Sequence, residues 1–405
     1  MLKRSELNAP AGNSEKLKVA IKYGADAVYC GLKEFNLRNY ADNFSTDQLS
    51  ETTGYVHDAG KKIYVALNIF ARNSHLDSLP EIVKELSRIK VDALIISDPG
   101  FIRLIQKHAP DIPIFLSTQM NVTNLESVKF WQDIGIKRII LARELSLKEI
   151  CEIRDATSIE LEVFIHGSMC VAFSGRCILS TYMASRGANL GECTQPCRWK
   201  YHLLEEKRPG EYYPVFDDGE VTQIMSSKDL CMVEHIPELV GIGVESFKIE
   251  GRMRGIPYLA SVTAIYRALI DKYLNDPADY KFDDRYIKEL EKTSNRGFCT
   301  GFFFGSPGVE DYNFKGPSYH QDYKFIGLVD SLNGNMDGIK VNMKGKILKG
   351  DNIEILTPDG KVHEYCVEKI VNEENEIVEV AQPNSTVKIF PYEDYPELSV
   401  LRKIA

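Results

Sequence analysis

Five cysteines in the middle of this chain have a spacing that suggests metal binding. Cys170, Cys177, Cys193 and Cys197 lie close together, and Cys231 follows further along the chain. The spacings C-x₆-C, C-x₁₅-C and C-x₃-C lack the C-x₂-C pair that structural zinc sites usually contain. Irregular thiolate spacing favours a [4Fe–4S] cluster over zinc, and four of the five residues would suffice. The competing interpretation is that these cysteines are small apolar residues that fill a packed insertion.

Polar residues follow many of the apolar runs that the sequence predicts as strands. The set comprises Glu6, Asn8, Asn68, Asp98, Gln119, Asn121, Arg143, Glu144, His166, Lys248, Glu250 and Arg252. We predict that they surround a pocket for a small anionic ligand, because Arg143 can bind a carboxylate bidentately and Lys248 and Arg252 add positive charge. The residues expected to bind substrate are Asn68, Gln119, Asn121, Arg143, Lys248 and Arg252, and the expected catalytic residues are Glu6, His166 and Glu250. The alternative is that these buried polar groups only satisfy one another.

The repeating pattern of residues 1–276 predicts an α/β fold. Amphipathic helical segments separate short apolar runs, which read SELNAP, ADAVYCG, KKIYVALN, DALIISDPG, IPIFLST, KRIILAREL, LEVFIHGS and SFKIEG. Strands this apolar are typical of a parallel sheet that helices cover. Eight such units favour a closed (β/α)₈ TIM-like barrel over an open sheet with the same local pattern.

A long insertion and a second domain depart from this pattern. Residues 168–227 form a cysteine-rich insertion with a predicted hairpin, and long insertions into compact domains are usually functional or disordered. Residues 277–321 are interpreted as a connector. From residue 322 to residue 405, short strands with turn signals predict a small antiparallel β-barrel.

The barrel prediction places the cysteines at one end of the fold. In such barrels the chemistry takes place at the C-terminal ends of the strands. Cys170 directly follows the seventh strand, and Cys231 is predicted to begin the seventh helix with Ser227 as its N-cap. A helix N-terminus lowers the pKa of a thiol, which favours thiolate ligands. We therefore expect Cys170 and Cys231 to be neighbours, with the other three cysteines folded over the same end.

Composition and missing motifs narrow the function classes. The chain has 405 residues, a net charge of −9 and no apolar run long enough to cross a membrane, so we expect a cytoplasmic protein. Nine cysteines in a reducing compartment argue for metal or thiol chemistry rather than disulfides. The negative charge disfavours RNA binding over the whole surface, but it leaves room for a local basic groove. Motifs of zinc proteases, serine hydrolases and phosphate-loop enzymes are absent from the sequence.

Several segments together resemble one known family. They read ELNAPAGN, ADAVYCG, FIHGSMCVAFSGRCILS, CTQPCRWKY, SKDLCMVEHIPELV and SFKIEGRMR, and they resemble the collagenase-like peptidase family U-32, whose catalytic type is unassigned. The likeness covers nearly the whole chain, and its C-terminal part resembles the small β-barrel that some members carry. The family label implies a peptidase. Characterised members instead imply oxygen-independent hydroxylation of RNA or of ubiquinone precursors.

The resemblance also implies a cofactor, a substrate and partners. It implies a [4Fe–4S] cluster that Cys170, Cys177, Cys193 and Cys231 hold, with Cys197 as the alternative ligand because some relatives use the C-x₃-C pair. Family members of similar length that also carry the C-terminal β-barrel imply a specific reaction. It converts the wobble uridine of tRNA to 5-hydroxyuridine, with prephenate as co-substrate. Some relatives act as pairs of related chains, so a paralogous partner chain is a further expectation.

The sequence thus supports three functional hypotheses. The leading one is an iron–sulfur enzyme, or enzyme subunit, that hydroxylates tRNA and needs no membrane. The second is a peptidase, which would require a thiol beside a histidine and no metal. The third is a non-catalytic scaffold whose cluster is structural.

Overall fold

The structure is a computed structural model that describes most of the chain. The described residues are 4–35, 42–169, 177, 179–184, 186, 193–194, 196, 227–307, 311, 322–331, 338–391 and 393–404. By its contacts the chain divides into two compact units. The first comprises Met1–Leu17, Asp26–Met253 and Asn295–Tyr319, and the second comprises Lys18–Ala25, Arg254–Ser294 and His320–Ala405. The predicted domain boundaries at residues 276 and 321 stay a prediction.

The first unit is built on a closed parallel barrel. Its strands are β1 (Glu6–Pro10), β2 (Ala27–Gly31), β3 (Lys62–Leu67), β4 (Ala93–Ile96), β5 (Ile114–Leu116), β6 (Arg138–Ile140), β7 (Glu160–Ser168), β8 (Asp229–Cys231), β9 (Ser246–Ile249) and β10 (Phe298–Cys299). Strands β1 to β7 pair in parallel order, and β9 closes the ring by pairing in parallel with both β7 and β1. The eight barrel strands coincide with the eight apolar runs, so the predicted TIM-like fold is confirmed.

Helices follow most of these strands. They are α1 (Ser14–Lys22), α2 (Thr46–Asp58), α3 (Asn73–Leu76), α4 (Leu79–Ile89), α5 (Pro99–His108), α6 (Leu125–Asp133), α7 (Leu147–Asp155), α8 (Leu179–Ala184), α9 (Ile236–Ile242), α10 (Ile256–Asn275) and α11 (Arg285–Glu291). Side-chain caps fix several starts: Ser146 forms a capping box with Glu149, and the Asn124 side chain accepts a bond from the Ser127 N–H. Within the described residues, none of these helices has the length and hydropathy needed to cross a bilayer.

The second unit contains the C-terminal strands. They are β11 (Tyr323–Ser331), β12 (Ile339–Met343), β13 (Ile347–Leu348), β14 (Asn352–Leu356), β15 (Val362–Cys366), β16 (Ile370–Val371), β17 (Ile377–Val378), β18 (Val380–Ala381), β19 (Thr386–Ile389) and β20 (Val400–Ile404). Eight of them form an antiparallel sheet in the order β15-β14-β20-β11-β12-β19-β16-β17, while β13 pairs with β18. This antiparallel half-barrel confirms the predicted all-β domain. Alternating burial along β12 gives it one apolar face toward the core.

A buried ion cluster joins the half-barrel to two helices of the same unit. Arg402 on β20 donates to both carboxylate oxygens of Glu289 on α11, each at 2.6 Å. Its Nε donates to Glu354 on β14 at 2.8 Å, and the Ser261 hydroxyl of α10 accepts a further bond. Because the Arg402 side chain is only 1% exposed, its charge depends on these carboxylates. The last helices before the half-barrel therefore belong to its core.

Candidate functional site at the carboxyl end of the barrel

Cys231 lies beside the end of the seventh barrel strand. Strand β8 runs antiparallel to β7, with Cys231 opposite His166 and Asp229 opposite Ser168. The prediction that Cys231 begins a helix is wrong, and Ser227 is not a cap, because its hydroxyl donates to the carbonyl oxygen of Met169 at 3.3 Å. Strand β7 has nine residues. Its last three residues extend beyond those that pair with β6, and β8 pairs with them. Cys231 still reaches the carboxyl end of the barrel, but on a strand.

A buried ion pair holds this added strand in place. The Asp229 carboxylate accepts hydrogen bonds from the Arg296 guanidinium, including one from Nε at 3.1 Å, and both side chains are 1% exposed. Arg296 precedes β10, which pairs with β8 so that Phe298 lies opposite Asp229. The ion pair thus links the start of β8 to the residue before β10, in a short extension of the barrel in which β8 lies between β7 and β10. Cys231 is the last residue of β8.

We expect Asp229→Asn to destabilise the protein by about 3 kcal/mol. The substitution removes the carboxylate that faces a buried guanidinium, and breaking such a pair typically costs about 3–5 kcal/mol. Urea unfolding measures the loss, and hydrogen exchange at the amides of residues 229–231 should accelerate. The control is Glu85→Gln, which breaks the exposed Glu85–Arg88 pair and should change stability by about 0.5 kcal/mol or less. Equal effects of the two substitutions would contradict the anchoring role of Asp229.

Three of the predicted cluster ligands fall within the described residues. Cys177 and Cys193 are half-buried, Cys231 is 7% exposed, and none of the three takes part in a disulfide. The Leu179 N–H donates to the sulfur of Cys177 at 3.4 Å. The Thr194 N–H donates to the Ser180 hydroxyl at 3.1 Å, which brings the residue after Cys193 against the start of α8. Cys177 and Cys193 therefore approach the same short helix.

The remaining part of the ligand set is outside the described residues. Cys170, Cys197 and the predicted hairpin of the insertion lie there. Among the residues that the structure describes, no group of three or more His, Cys, Asp or Glu side chains is close enough to hold a metal ion. The chemistry of the described donors nevertheless fits iron or zinc, because cysteine sulfurs that form no disulfide are soft ligands. The four-cysteine set stays a prediction.

Polar residues gather around the peptide group of Ser168, at the end of β7. The guanidinium of Arg143 donates to the Ser168 carbonyl oxygen and lies over the Phe164 ring, 4.9 Å from its centroid. The Ser168 N–H is 3.4 Å from the Glu250 carboxylate, and the Glu250 N–H donates to the carbonyl oxygen of His166 at 2.9 Å. The structure therefore brings together Arg143, His166 and Glu250, as the sequence predicts, beside the strand that carries Cys231.

Three amides predicted to contact substrate follow β3 and β5. The Asn68 side chain donates to the Gln119 side-chain oxygen at 2.7 Å, and Gln119 returns a bond to the Asn68 carbonyl oxygen at 2.9 Å. Asn121 has a positive φ of 52° and donates to the Thr118 carbonyl oxygen at 3.2 Å. Asp98, at the end of β4, caps α5 by accepting a bond from the Phe101 N–H. Asn68 and Gln119 thus form one reciprocal pair at the rim, and Asp98 has a structural role.

Arg252 is buried close to β2. Arg252 is 5% exposed. A Cβ atom on residue 12 would lie only 2.6 Å from the carbonyl oxygen of Arg252. Only glycine at position 12 permits this close approach. Burial raises the pKa of the Cys30 thiol to about 12, although the charge of Arg252 partly opposes the effect. Cys30 is therefore a neutral thiol at physiological pH, while Arg252 remains a cation of the site.

The predicted position of Glu6 at the mouth is wrong. Glu6 is the first residue of β1, so it lies at the amino end of the barrel. Its carboxylate accepts hydrogen bonds from Arg138 at 2.7 Å and from the Tyr64 hydroxyl at 2.8 Å, and it pairs with Lys62 at 3.3 Å. Because Arg138 and Lys62 are also first residues of their strands, this cluster is opposite the candidate site.

Lys248, which the sequence predicts to bind a substrate carboxylate, is buried and paired inside the barrel, and its role in substrate binding stays a prediction. Its Nζ is 2.7 Å from the carboxylate of Glu162 inside the barrel, and it lies 3.9 Å from the centroid of the Tyr29 ring. Glu162 is fully buried and also pairs with Arg138 at 3.2 Å. Burial alone would raise the pKa of Glu162, but the charges of Lys248 and Arg138 lower it to about 2. The charge of Lys248 is therefore compensated internally.

Sequence reasoning missed four buried charged residues, two within the barrel and two that support the strand of Cys231. They are Arg138, Glu162, Asp229 and Arg296. Their signal is a charged residue within or beside an apolar strand, as in KRIILAREL and LEVFIHGS, because such a charge must find a buried partner.

A closed parallel barrel with polar side chains at the carboxyl ends of its strands defines a TIM-barrel protein. The chain belongs to peptidase family U32, whose family model matches residues 12–313, while the model of the family's C-terminal domain matches residues 321–402. The chain is similar to the tRNA hydroxylation protein P1 of Bacillus subtilis, with 39% identity over 95% of this chain and 92% of that protein.

Two further relatives carry different names. The 23S rRNA 5-hydroxycytidine C2501 synthase of Escherichia coli is 33% identical over 87% of this chain and 52% of that protein. The collagenase of Porphyromonas gingivalis is 32% identical over 74% of this chain and 73% of that protein. The resemblance to the family that the sequence motifs indicate is therefore confirmed.

Proposed function

We propose that this chain hydroxylates tRNA and converts the wobble uridine to 5-hydroxyuridine. The observation that carries the proposal is the similarity along nearly the whole chain, including both units, to a relative named for tRNA hydroxylation. The rRNA relative is named for hydroxylation at the same carbon of another pyrimidine. A common reaction class, which replaces C5–H by C5–OH, accounts for both names.

The second element of the proposal is a [4Fe–4S] cluster on Cys170, Cys177, Cys193 and Cys231, with Cys197 as the alternative ligand. The three described cysteines of the set support it, because they are buried or half-buried and take part in no disulfide. When bound, such a cluster supplies one-electron redox chemistry beside the substrate. Asp229 and Arg296 would position Cys231 for this role through the strand pairing described above.

The third element is prephenate as the co-substrate. Two carboxylates require at least two cations, and Arg143 and Arg252 are the site's arginines, since Glu162 compensates Lys248. The Asn68–Gln119 pair lies at the same rim and offers amide groups to the ligand or the base. In this arrangement His166 and Glu250 are the candidate proton-transfer groups. A paralogous partner chain, which the family resemblance implies, remains part of the proposal.

A reconstituted reaction tests the proposal. The full chain, purified without oxygen, is incubated with unmodified tRNA and prephenate, and the nucleosides are analysed by mass spectrometry. We expect 5-hydroxyuridine in the complete mixture and none when prephenate is omitted. As a cellular counterpart, expression of the chain in bacteria that lack 5-hydroxyuridine should restore the nucleoside. Its absence from both systems would contradict the proposed reaction, and formation without prephenate would contradict only the co-substrate.

A peptidase is the second candidate, and the collagenase relative is the observation that favours it. A thiol peptidase would need an accessible cysteine beside a histidine. Cys231 lies opposite His166, and because these residues are 7% and 1% exposed, a peptidase reaction would require the β7–β8 pairing to open to a peptide chain. Hydrolysis of denatured collagen by the chain, with inhibition by thiol alkylation and none by iron chelation, would favour the peptidase over the hydroxylase.

A further inference from the structure

The half-barrel of the second unit carries a basic groove with an apolar floor. The groove has a volume of about 470 Å³, and its lining residues are Lys324, Phe325, Ile326, Gly345, Lys346, Leu348 and Lys403. Three of these are lysines, and none is acidic. We call this feature the lysine groove. Its positive charge contrasts with the net charge of −9 of the whole chain.

Sheet register concentrates the charge of the lysine groove. Lys324 on β11 lies directly opposite Lys403 on β20. Like charges on facing positions of an antiparallel sheet normally destabilise it. Asp351 offsets one of them, because its carboxylate is 2.6 Å from the Nζ of Lys403. Within the described part of the chain Asp351 forms its ion pair with Lys403, and its charge also acts on Lys346, so three lysines beside this one carboxylate leave the groove with excess positive charge.

A tight backbone contact brings the third lysine to this pair. The N–H groups of Lys344 and Gly345 both donate to the Ile326 carbonyl oxygen, at 2.6 and 2.8 Å. A Cβ on Gly345 would lie 2.6 Å from the carbonyl oxygen of Phe325, so only glycine allows the approach. Lys346 follows directly and therefore lines the same groove as Lys324.

The groove also exposes apolar surface between its charges. Leu348 is 40% exposed, and Phe325 is half-buried. This surface is complementary to a nucleic-acid strand. The lysines can contact its anionic phosphates, and the apolar surface between them can contact the faces of its bases and sugars. We infer that the lysine groove binds the sugar–phosphate backbone of the tRNA substrate. This inference rests on the proposed function and assigns the RNA-docking surface to the half-barrel.

Binding of unmodified, fluorescently labelled tRNA to the full chain tests the inference. We expect the double substitution K324A/K346A to weaken binding about tenfold at physiological salt. The slope of log Kd against log salt concentration should fall by about two, one for each lost phosphate contact. The matched control is K281A/K361A, which removes two exposed lysines elsewhere in the same unit and should leave Kd unchanged within about twofold.

A charge-preserving variant and a competitor complete the experiment. K324R/K346R should bind tRNA as the wild type does, because phosphate contacts need charge more than shape. Equal affinity of K324A/K346A and the control would overturn the inference, and so would displacement of tRNA by polyglutamate at equal charge, which would indicate an acidic protein partner. Since binding is measured without turnover, groove-dependent binding with no 5-hydroxyuridine formed would contradict only the proposed reaction.

Discussion

Cys231→Ala is expected to remove the proposed iron–sulfur cluster and to abolish the proposed formation of 5-hydroxyuridine. Cys231 lies in a strand that β7 and β10 hold on both sides, so its sulfur has a fixed position beside His166. Loss of one of four thiolates leaves the cluster with an open coordination position that water or oxygen can attack. Iron and sulfide analysis after purification without oxygen, together with the visible spectrum, measures the effect.

The control for this prediction is Cys366→Ala. Cys366 is exposed on β15 of the half-barrel, and its replacement should change neither iron content nor product. Because Cys231 is a small side chain that takes part in no disulfide, Cys231→Ala should cost only about 1 kcal/mol of stability, so loss of iron would not reflect unfolding. Wild-type iron content in Cys231→Ala would exclude this residue as a ligand, and zinc in the wild type would contradict the redox role.

Glu162→Gln is expected to lower the free energy of unfolding by about 3–5 kcal/mol at neutral pH. Glu162 is fully buried, and its carboxylate faces Lys248 at 2.7 Å and Arg138 at 3.2 Å. The amide keeps the volume but leaves Lys248 without its counter-charge in the barrel interior. Glu152→Gln, on the exposed face of α7, is the matched control and should have almost no effect.

The effect of Glu162→Gln should depend on pH in a defined direction. The folded protein lowers the pKa of Glu162 from 4.5 to about 2, which corresponds to about 3 kcal/mol of stability above pH 5. This contribution is lost as the pH falls through the range between the two values. The difference in unfolding free energy between wild type and variant should therefore shrink by about 2 kcal/mol at pH 3. A constant difference across this range would contradict the lowered pKa.

The barrel could be predicted from the sequence because its signals are local. Each strand is a run of apolar residues, and β2, β4 and β5 are buried at every position, as expected for a parallel sheet covered by helices. The positions of Arg143, His166 and Glu250 follow from the same pattern. Since Arg143 and Glu250 follow their strands and His166 lies near the end of its strand, a parallel barrel brings them to the same end.

The residues that sequence reasoning placed differently owe their positions to contacts between distant parts of the chain. Cys231 follows a serine that resembles a helix cap, but its strand is stabilised by β7 and by β10, which are distant in sequence. Glu6 and Lys248 stand in strands, yet Glu6 begins β1 and the Lys248 side chain finds Glu162 on β7 inside the barrel. Their roles depend on which end of a strand they occupy and which partner lies across the barrel.

The Arg402–Glu289 contact has a consequence for how the chain folds during synthesis. The two residues are separated by 113 positions in the sequence. At about 5–20 residues per second, a ribosome needs on the order of ten seconds to make the intervening segment. During that interval Glu289 and the adjoining surface of α10 and α11 lack their arginine and the strand that carries it. These helices are therefore exposed to chaperones, or to incorrect pairing, until β20 emerges. We expect formation of this long-range contact to limit the folding rate of the second unit.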